Sequence, residues 1–180
     1  MAQRTWAIVA GIAVASTLLA AGAVQREHAL LAGPFADVVR DREAHAGVRP
    51  GDPGANRALA QAYLDVEQPG FAVALLRDTP ADRDPEGIRT RHLFGRALID
   101  QGRAEDALAV EEGVVAACAP LAEGGEAAPG CDATLLASAL RRVDILRELA
   151  ALGVTDVRAH PEASFIAYRN ATREVRATVQ

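Results

Sequence analysis

Apolar positions along the chain fall into one unbroken run followed by a series of amphipathic stripes. Residues 7–24, AIVAGIAVASTLLAAGAV, carry no charge and follow Arg4 and Trp6. As a helix this run spans roughly 27 Å, about a bilayer core. Past it, apolar residues recur at helical spacing. Pro34 to Ala46 reads as a short helix with Pro in its first turn and Gly47 just beyond its end. VRPGDPG, 48–54, is a breaker. ANRALAQAYLDVEQ then places Leu59, Ala60, Tyr63 and Leu64 on one stripe, Pro69-Gly70 punctuates, and FAVALLRDTP forms a second, shorter helix. EGIRTRHLFGRALIDQG, with Leu93, Phe94, Ala97 and Leu98 on its apolar face, ends at Gly102 and is followed by AEDALAVEEGVVAAC. DATLLASALRRVDILRELAAL, 132–152, is the strongest helix. Asp132 can cap it, and Leu135, Leu136, Ala139, Leu140, Val143, Leu146, Leu149 and Ala150 make a continuous stripe closed by Gly153. Pro161 opens a last helix with Phe165, Ile166, Tyr168, Ala171, Thr172 and Val175 on its apolar side. Ala is frequent and aromatics are only 4% of the chain, which suits close-packed helices better than a sheet. The expected class is all-α.

Four of these helices repeat a single pattern. A shift of 35 residues lays Ala60 on Gly95, Ala62 on Ala97, Leu64 on Ile99, Ala72 on Ala107 and Pro85 on Pro120. Small residues recur where two helices would cross, because a large side chain there would hold the backbones apart. In LFGRALIDQGRAEDAL, the Gly95, the Ala97-Leu98 pair, the Gly102 turn and Ala107 resemble a tetratricopeptide repeat, a family that stacks antiparallel helix pairs at a period of about 34 residues. The resemblance covers residues 53–120 and implies a short α-solenoid of antiparallel helix pairs. Departures stand at Glu111, where Leu76 is the first copy's residue and the family has a large apolar one, and at Thr79 and Val114, which replace a late Ala. Residues 132–180 are expected to complete the core as a divergent third repeat or a capping pair. The chain then divides into a transmembrane anchor or signal peptide (1–24), a juxtamembrane helix and linker (25–52), two repeats (53–120), a loop (121–131) and the C-terminal helix pair.

For the first segment two readings stay open. Residues 5–24 form a retained single-pass anchor with Trp6 at the headgroup level, or a signal peptide cleaved after the small-x-small Ala21-Gly22-Ala23. Either directs the chain to a bacterial cell envelope. The retained anchor would sit in the inner membrane with residues 25–180 periplasmic; cleavage would leave a periplasmic or secreted protein. Arg4 on one side and Arg26, Arg40 and Arg42 on the other leave orientation undecided by flanking charge. The two cysteines speak to it. Cys118 and Cys131 bracket the Pro/Gly-rich loop APLAEGGEAAPG, where a disulfide would clamp the base of a flexible connection and favour an oxidising compartment. Two buried free thiols are the other reading. Zinc with His92 or His160 lacks any close-spaced ligand signature.

A net charge of −5 argues against nucleic acid as a partner. Acid is concentrated at 100–132, where Asp100, Glu105, Asp106, Glu111, Glu112, Glu123, Glu126 and Asp132 face Arg103 alone; solvated helix faces are the plain reading. The four histidines are scattered, and neither a phosphate loop, a nucleophile elbow nor a haem attachment motif occurs. A non-enzymatic interaction module without a cofactor is therefore expected, with a structural subunit of an envelope or secretion complex as the alternative and an enzyme or metal-binding protein below both. In the family resembled, the first helix of each pair lines a concave groove. The resemblance carries that role to Arg57, Gln61, Leu64 and Asp65 in one copy and to Arg89, His92, Arg96, Ile99 and Asp100 in the other. Arginine forks bind carboxylates in bidentate fashion, so the expected ligand is a partner's acidic segment or free C-terminus.

Overall fold

Seven α-helices follow one another among the described residues, which are 36–79 and 84–177 of the computed structural model, with side chains described as far as Thr172. The apolar segment 5–24 and the first turn expected at Pro34 lie outside them. No helix among the described residues is long and apolar enough to cross a membrane. Among the described residues, 39–79 and 84–177 belong to one compact unit. The helices are α1 (Ala36–Val48), α2 (Pro53–Asp65), α3 (Pro69–Arg77), α4 (Gly87–Asp100), α5 (Ala104–Cys118), α6 (Ala133–Ala151) and α7 (Pro161–Ala177), with a 3-10 turn at Ala119–Glu123. From α2 onward each helix packs antiparallel on the next, and α2 also touches α4 across the intervening α3.

Local chemistry sets the helix starts. Asp52 accepts the amide of Ala55 at 2.7 Å and Asp132 that of Leu135 at 2.8 Å, so both act as N-caps. Pro53 and Pro69 stand inside the first turns of α2 and α3 rather than in breakers before them. The first-turn amide is unpaired in any helix, so proline costs nothing there and its fixed φ favours the start. Gly102, at φ +85°, makes the α4–α5 turn in a conformation that a side chain would strain.

The repeated small residues lie where the helices cross. Ala60, Ala72, Ala97 and Ala107 are fully buried together with Leu64, Leu76, Leu98, Leu146 and Leu149, in one core that runs from α2 to α7. A second cluster, Ile88, Val114, Cys118, Leu135 and Ala139, surrounds the disulfide. Cys118 and Cys131 are bonded (Cα–Cα 5.5 Å), joining the end of α5 to the residue before the Asp132 cap. Of the departures from the repeat pattern, Val114 is fully buried, and Thr79 is buried with its hydroxyl satisfied: it accepts from Asn56 Nδ2 at 3.1 Å and donates to the Leu75 carbonyl at 2.9 Å.

The apolar stripes of the last two helices are narrower than the sequence suggests. Leu140 is 44% exposed, and on α7 Phe165 and Tyr168 are 67% and 51% exposed. Ala171 of the expected stripe is buried, and the rest of the buried face of α7 is Ala163 and Ala167, the three spaced at i, i+4 and i+8. Methyl-sized contacts let α7 lie close against α6, and that approach turns the aromatic rings outward.

Candidate binding groove

The alternate helices α2, α4 and α6 share one side of the molecule, and an open groove of about 570 Å³ runs between them. Gly54, Arg57, Ala58 and Gln61 line it from α2, Glu86, Arg89, His92, Leu93 and Arg96 from the start and body of α4, and Leu135 and Arg142 from α6. Five of the expected groove residues thus come together: Arg57, Gln61, Arg89, His92 and Arg96. Four do not line it. Leu64 is in the core and Ile99 packs against it. Asp65 accepts from Gln61 Nε2 at 2.6 Å, and Asp100 sits 3.6 Å from Arg96 Nε, each one turn along its own helix.

The groove's cations differ in how tightly they are held. Arg57 is committed: Nη1 donates to Asp84 (3.1 and 3.3 Å) and to Thr90 Oγ1 (3.1 Å), and Nη2 pairs with Glu86 at 2.5 Å. Arg142 is equally committed, with Nη1 donating to Glu111 Oε1 at 2.7 Å and to the His92 carbonyl at 2.9 Å. Arg89 reaches across to the Gly130 carbonyl at 3.1 Å and to Asp132 at 2.5 Å, and nearly half of its side chain remains exposed. Arg96 is the loosest. Its partners are Asp100 at 3.6 Å and Gln61 Oε1 at 3.5 Å, both at the limit of useful hydrogen bonding, and its side chain is 38% exposed.

Behind the groove stands a group that the sequence reading placed on a solvated acidic face. Glu111 of α5 is 0% exposed. Its Oε1 accepts from Arg142 and its Oε2 meets His92 Nδ1 at 2.7 Å, while His92 Nε2 lies 3.1 Å from Ser138 Oγ. Gly95 makes the room, since a Cβ at that position would run into the Glu111 carboxylate. The polar network thus occupies the place where the first copy has Leu76. Its one trace in the sequence is that acid-for-leucine replacement under the 35-residue shift. Ser138 and Arg142 carry no trace, because they meet His92 from 46 and 50 residues away. Among the described residues no group of three His, Cys, Asp or Glu is placed to hold a metal ion.

Two carboxylates at the groove's edge are held below the usual range. Burial would push Asp84 up, but hydrogen bonds from Thr90 and the Glu86 amide and the charge of Arg57 outweigh it. Asp132 is lowered chiefly by the Leu135 amide, with Arg89 adding to it. A carboxyl with a depressed folded pKa binds fewer protons folded than unfolded, so its stabilisation is complete above the unfolded value near 3.9 and is lost as pH falls through the folded value. Urea unfolding between pH 7 and pH 2 should show stability falling below about pH 4. Asp84→Asn should be less stable than the parent at pH 7, with the gap narrowing in acid; a gap independent of pH would contradict this assignment.

Comparison with protein-family models, with curated proteins and with solved structures gives no match.

Proposed function

We propose that the chain is a tetratricopeptide-like interaction module of the cell envelope, and that the groove between α2, α4 and α6 receives the carboxylate of a partner, either an acidic segment or a free C-terminus. One observation carries the reading: the leading helices of successive pairs bring Arg57, Gln61, Arg89, His92 and Arg96 to one open groove. Arg142 and Leu135 extend it onto α6, which supports counting α6 and α7 as a third pair. Within the groove the ligand's carboxylate is assigned to Arg96, with Gln61 and Arg89 flanking it, because Arg57 and Arg142 already satisfy buried acids. A guanidinium with weakly held donors can exchange them for a carboxylate at little cost. An exported location draws support from the disulfide, a bond that persists in oxidising compartments, and from the uncharged run 7–24. The second reading, a structural subunit, draws support from the exposed Phe165 and Tyr168 on α7.

The test is a paired substitution. Arg89→Ala with Arg96→Ala should leave helical content unchanged and weaken binding of an acidic peptide with a free C-terminus by about tenfold, an effect that shrinks at high salt. An amidated neutral peptide should bind neither form. Equal binding of the acidic peptide by parent and double variant would remove the groove from consideration.

A further inference from the structure

Three side chains beside the groove stand in the order nucleophile, base and orienting acid. His92 Nδ1 lies 2.7 Å from Glu111 Oε2, and His92 Nε2 lies 3.1 Å from Ser138 Oγ. The partners fix the tautomer. A carboxylate paired with Arg142 can only accept, so Nδ1 carries a hydrogen; in the neutral imidazole Nε2 then presents its lone pair and the Ser138 hydroxyl donates to it. Ser138 is half-buried and lies one turn from both Leu135 and Arg142, the two α6 residues that line the groove. All of Arg142's bonds among the described residues use Nη1, and Arg142 stands one turn along α6 from Ser138.

We propose that Ser138 is an acyl-accepting nucleophile activated by His92, and that the groove processes esters whose acyl part carries a carboxylate. The choice of substrate rests on the carboxylate reading of the groove; the relay does not. Ser138 Oγ attacks the ester carbonyl while His92 Nε2 takes its proton. The C–O bond to the leaving alcohol breaks, and His92 returns the proton to that alcohol's oxygen. Water then attacks the acyl-serine with His92 again as base, releasing the acid and restoring the hydroxyl. Arg142 donates to the oxygen that becomes negative in each step. Glu111 is a positioning residue: it holds the imidazole in the one tautomer that can accept.

The experiment offers the full-length protein mono-p-nitrophenyl adipate, whose chain is too long for ready closure to a cyclic anhydride, and p-nitrophenyl acetate, with nitrophenolate release followed and the acylated residue mapped by mass spectrometry. Acylation at Ser138 is expected, with nitrophenolate release faster for the adipyl ester and lowered by roughly 10²–10⁴ in Ser138→Ala and His92→Ala. Equal rates for the two esters at Ser138 would uphold the relay and overturn the carboxylate preference. Absence of label at Ser138 in folded protein, or a His92→Ala variant as fast as the parent, would overturn the relay itself. Nitrogen NMR of the unmutated protein at pH 8 gives a check that needs no variant to fold: the His92 proton belongs on Nδ1, and finding it on Nε2 would overturn the relay. In Glu111→Gln the proton should move to Nε2, because Arg142 can only donate and therefore claims the amide oxygen, turning the amide NH₂ toward Nδ1.

Discussion

Glu111→Ala is expected to lower stability by about 3–5 kcal/mol, read from urea unfolding, because it strips the acid from a buried ion pair and leaves the cation behind. Glu111 is 0% exposed and holds both Arg142 and His92. The Arg142 side chain keeps 24% of its surface in water, so it can turn partly outward, which places the expected loss toward the lower end of that range. Replacing the pair together, by Glu111→Leu with Arg142→Met, should cost much less, since apolar groups of similar volume remove the desolvation penalty along with the attraction. Gly95 approaches the same carboxylate from the other side. In the parent, Gly95→Ala forces a methyl into Glu111 and should cost about 1–3 kcal/mol. In the Glu111→Ala background the obstruction is gone, and the same change should be neutral or favourable by up to about 1 kcal/mol, the helix preference of Ala over Gly. A Gly95→Ala cost that is the same in both backgrounds would show that the carboxylate does not fill the space above Gly95.

Helical periodicity was enough to read the helices, the Asp132 cap and the buried alanines at 60, 72, 97 and 107, because close crossings demand small residues at fixed spacing. It was not enough to say how wide each apolar face is. Leu140 and Tyr168 obey the periodicity as well as Val143 or Ala167 do. Which side of α7 turns inward is decided by how near it can approach α6, and that depends on side chains from both helices. The Pro69-Gly70 pair shows a different limit: proline ends helices and begins them, and its neighbours alone do not say which.

The groove was legible to the extent that it repeats. Arg57 and His92 lie 35 residues apart, as do Gln61 and Arg96, and all four line it. What sits behind the walls was not legible. A buried glutamate and a surface glutamate are the same letter, and the difference between Glu111 and Glu112 comes from Gly95, His92 and Arg142, contributed by two other helices. The same holds for the arginines. Three arginines facing one groove read as a strongly positive site, whereas Asp84 and Asp132 pair with Arg57 and Arg89 and leave Arg96 as the most available.

Removing the Cys118–Cys131 bond should cost about 3 kcal/mol, the chain-entropy value for a cross-link that closes a loop of this length. The half-cystines are 13 residues apart. The folded loop has other ties: the Ala128 amide donates to the Ala117 carbonyl at 3.3 Å, and Arg89 holds the Gly130 carbonyl and Asp132. Gly130, at φ +86°, lies against the Glu86 backbone, where a side chain would not fit. The native loop is therefore expected to keep its place without the bond, and the loss falls on the unfolded chain, which gains freedom. Alanine is the replacement to use, since Cys118 is fully buried and a serine hydroxyl there would lack a partner. Cys118→Ala with Cys131→Ala should keep the parent's helical circular dichroism, unfold at a lower urea midpoint, and melt roughly 6–12 °C lower, at about 2–4 °C per kcal/mol for a chain of this size. The urea slope should rise slightly, because an uncrosslinked chain exposes more surface on unfolding. Dithiothreitol should shift the parent toward the double variant and leave the variant unmoved. Thiol titration of the unfolded, unreduced parent should find no free sulfhydryl; two free thiols would mean that Cys118 and Cys131 are not joined, and a parent indifferent to reductant would mean that the cross-link does not contribute the stability assigned to it.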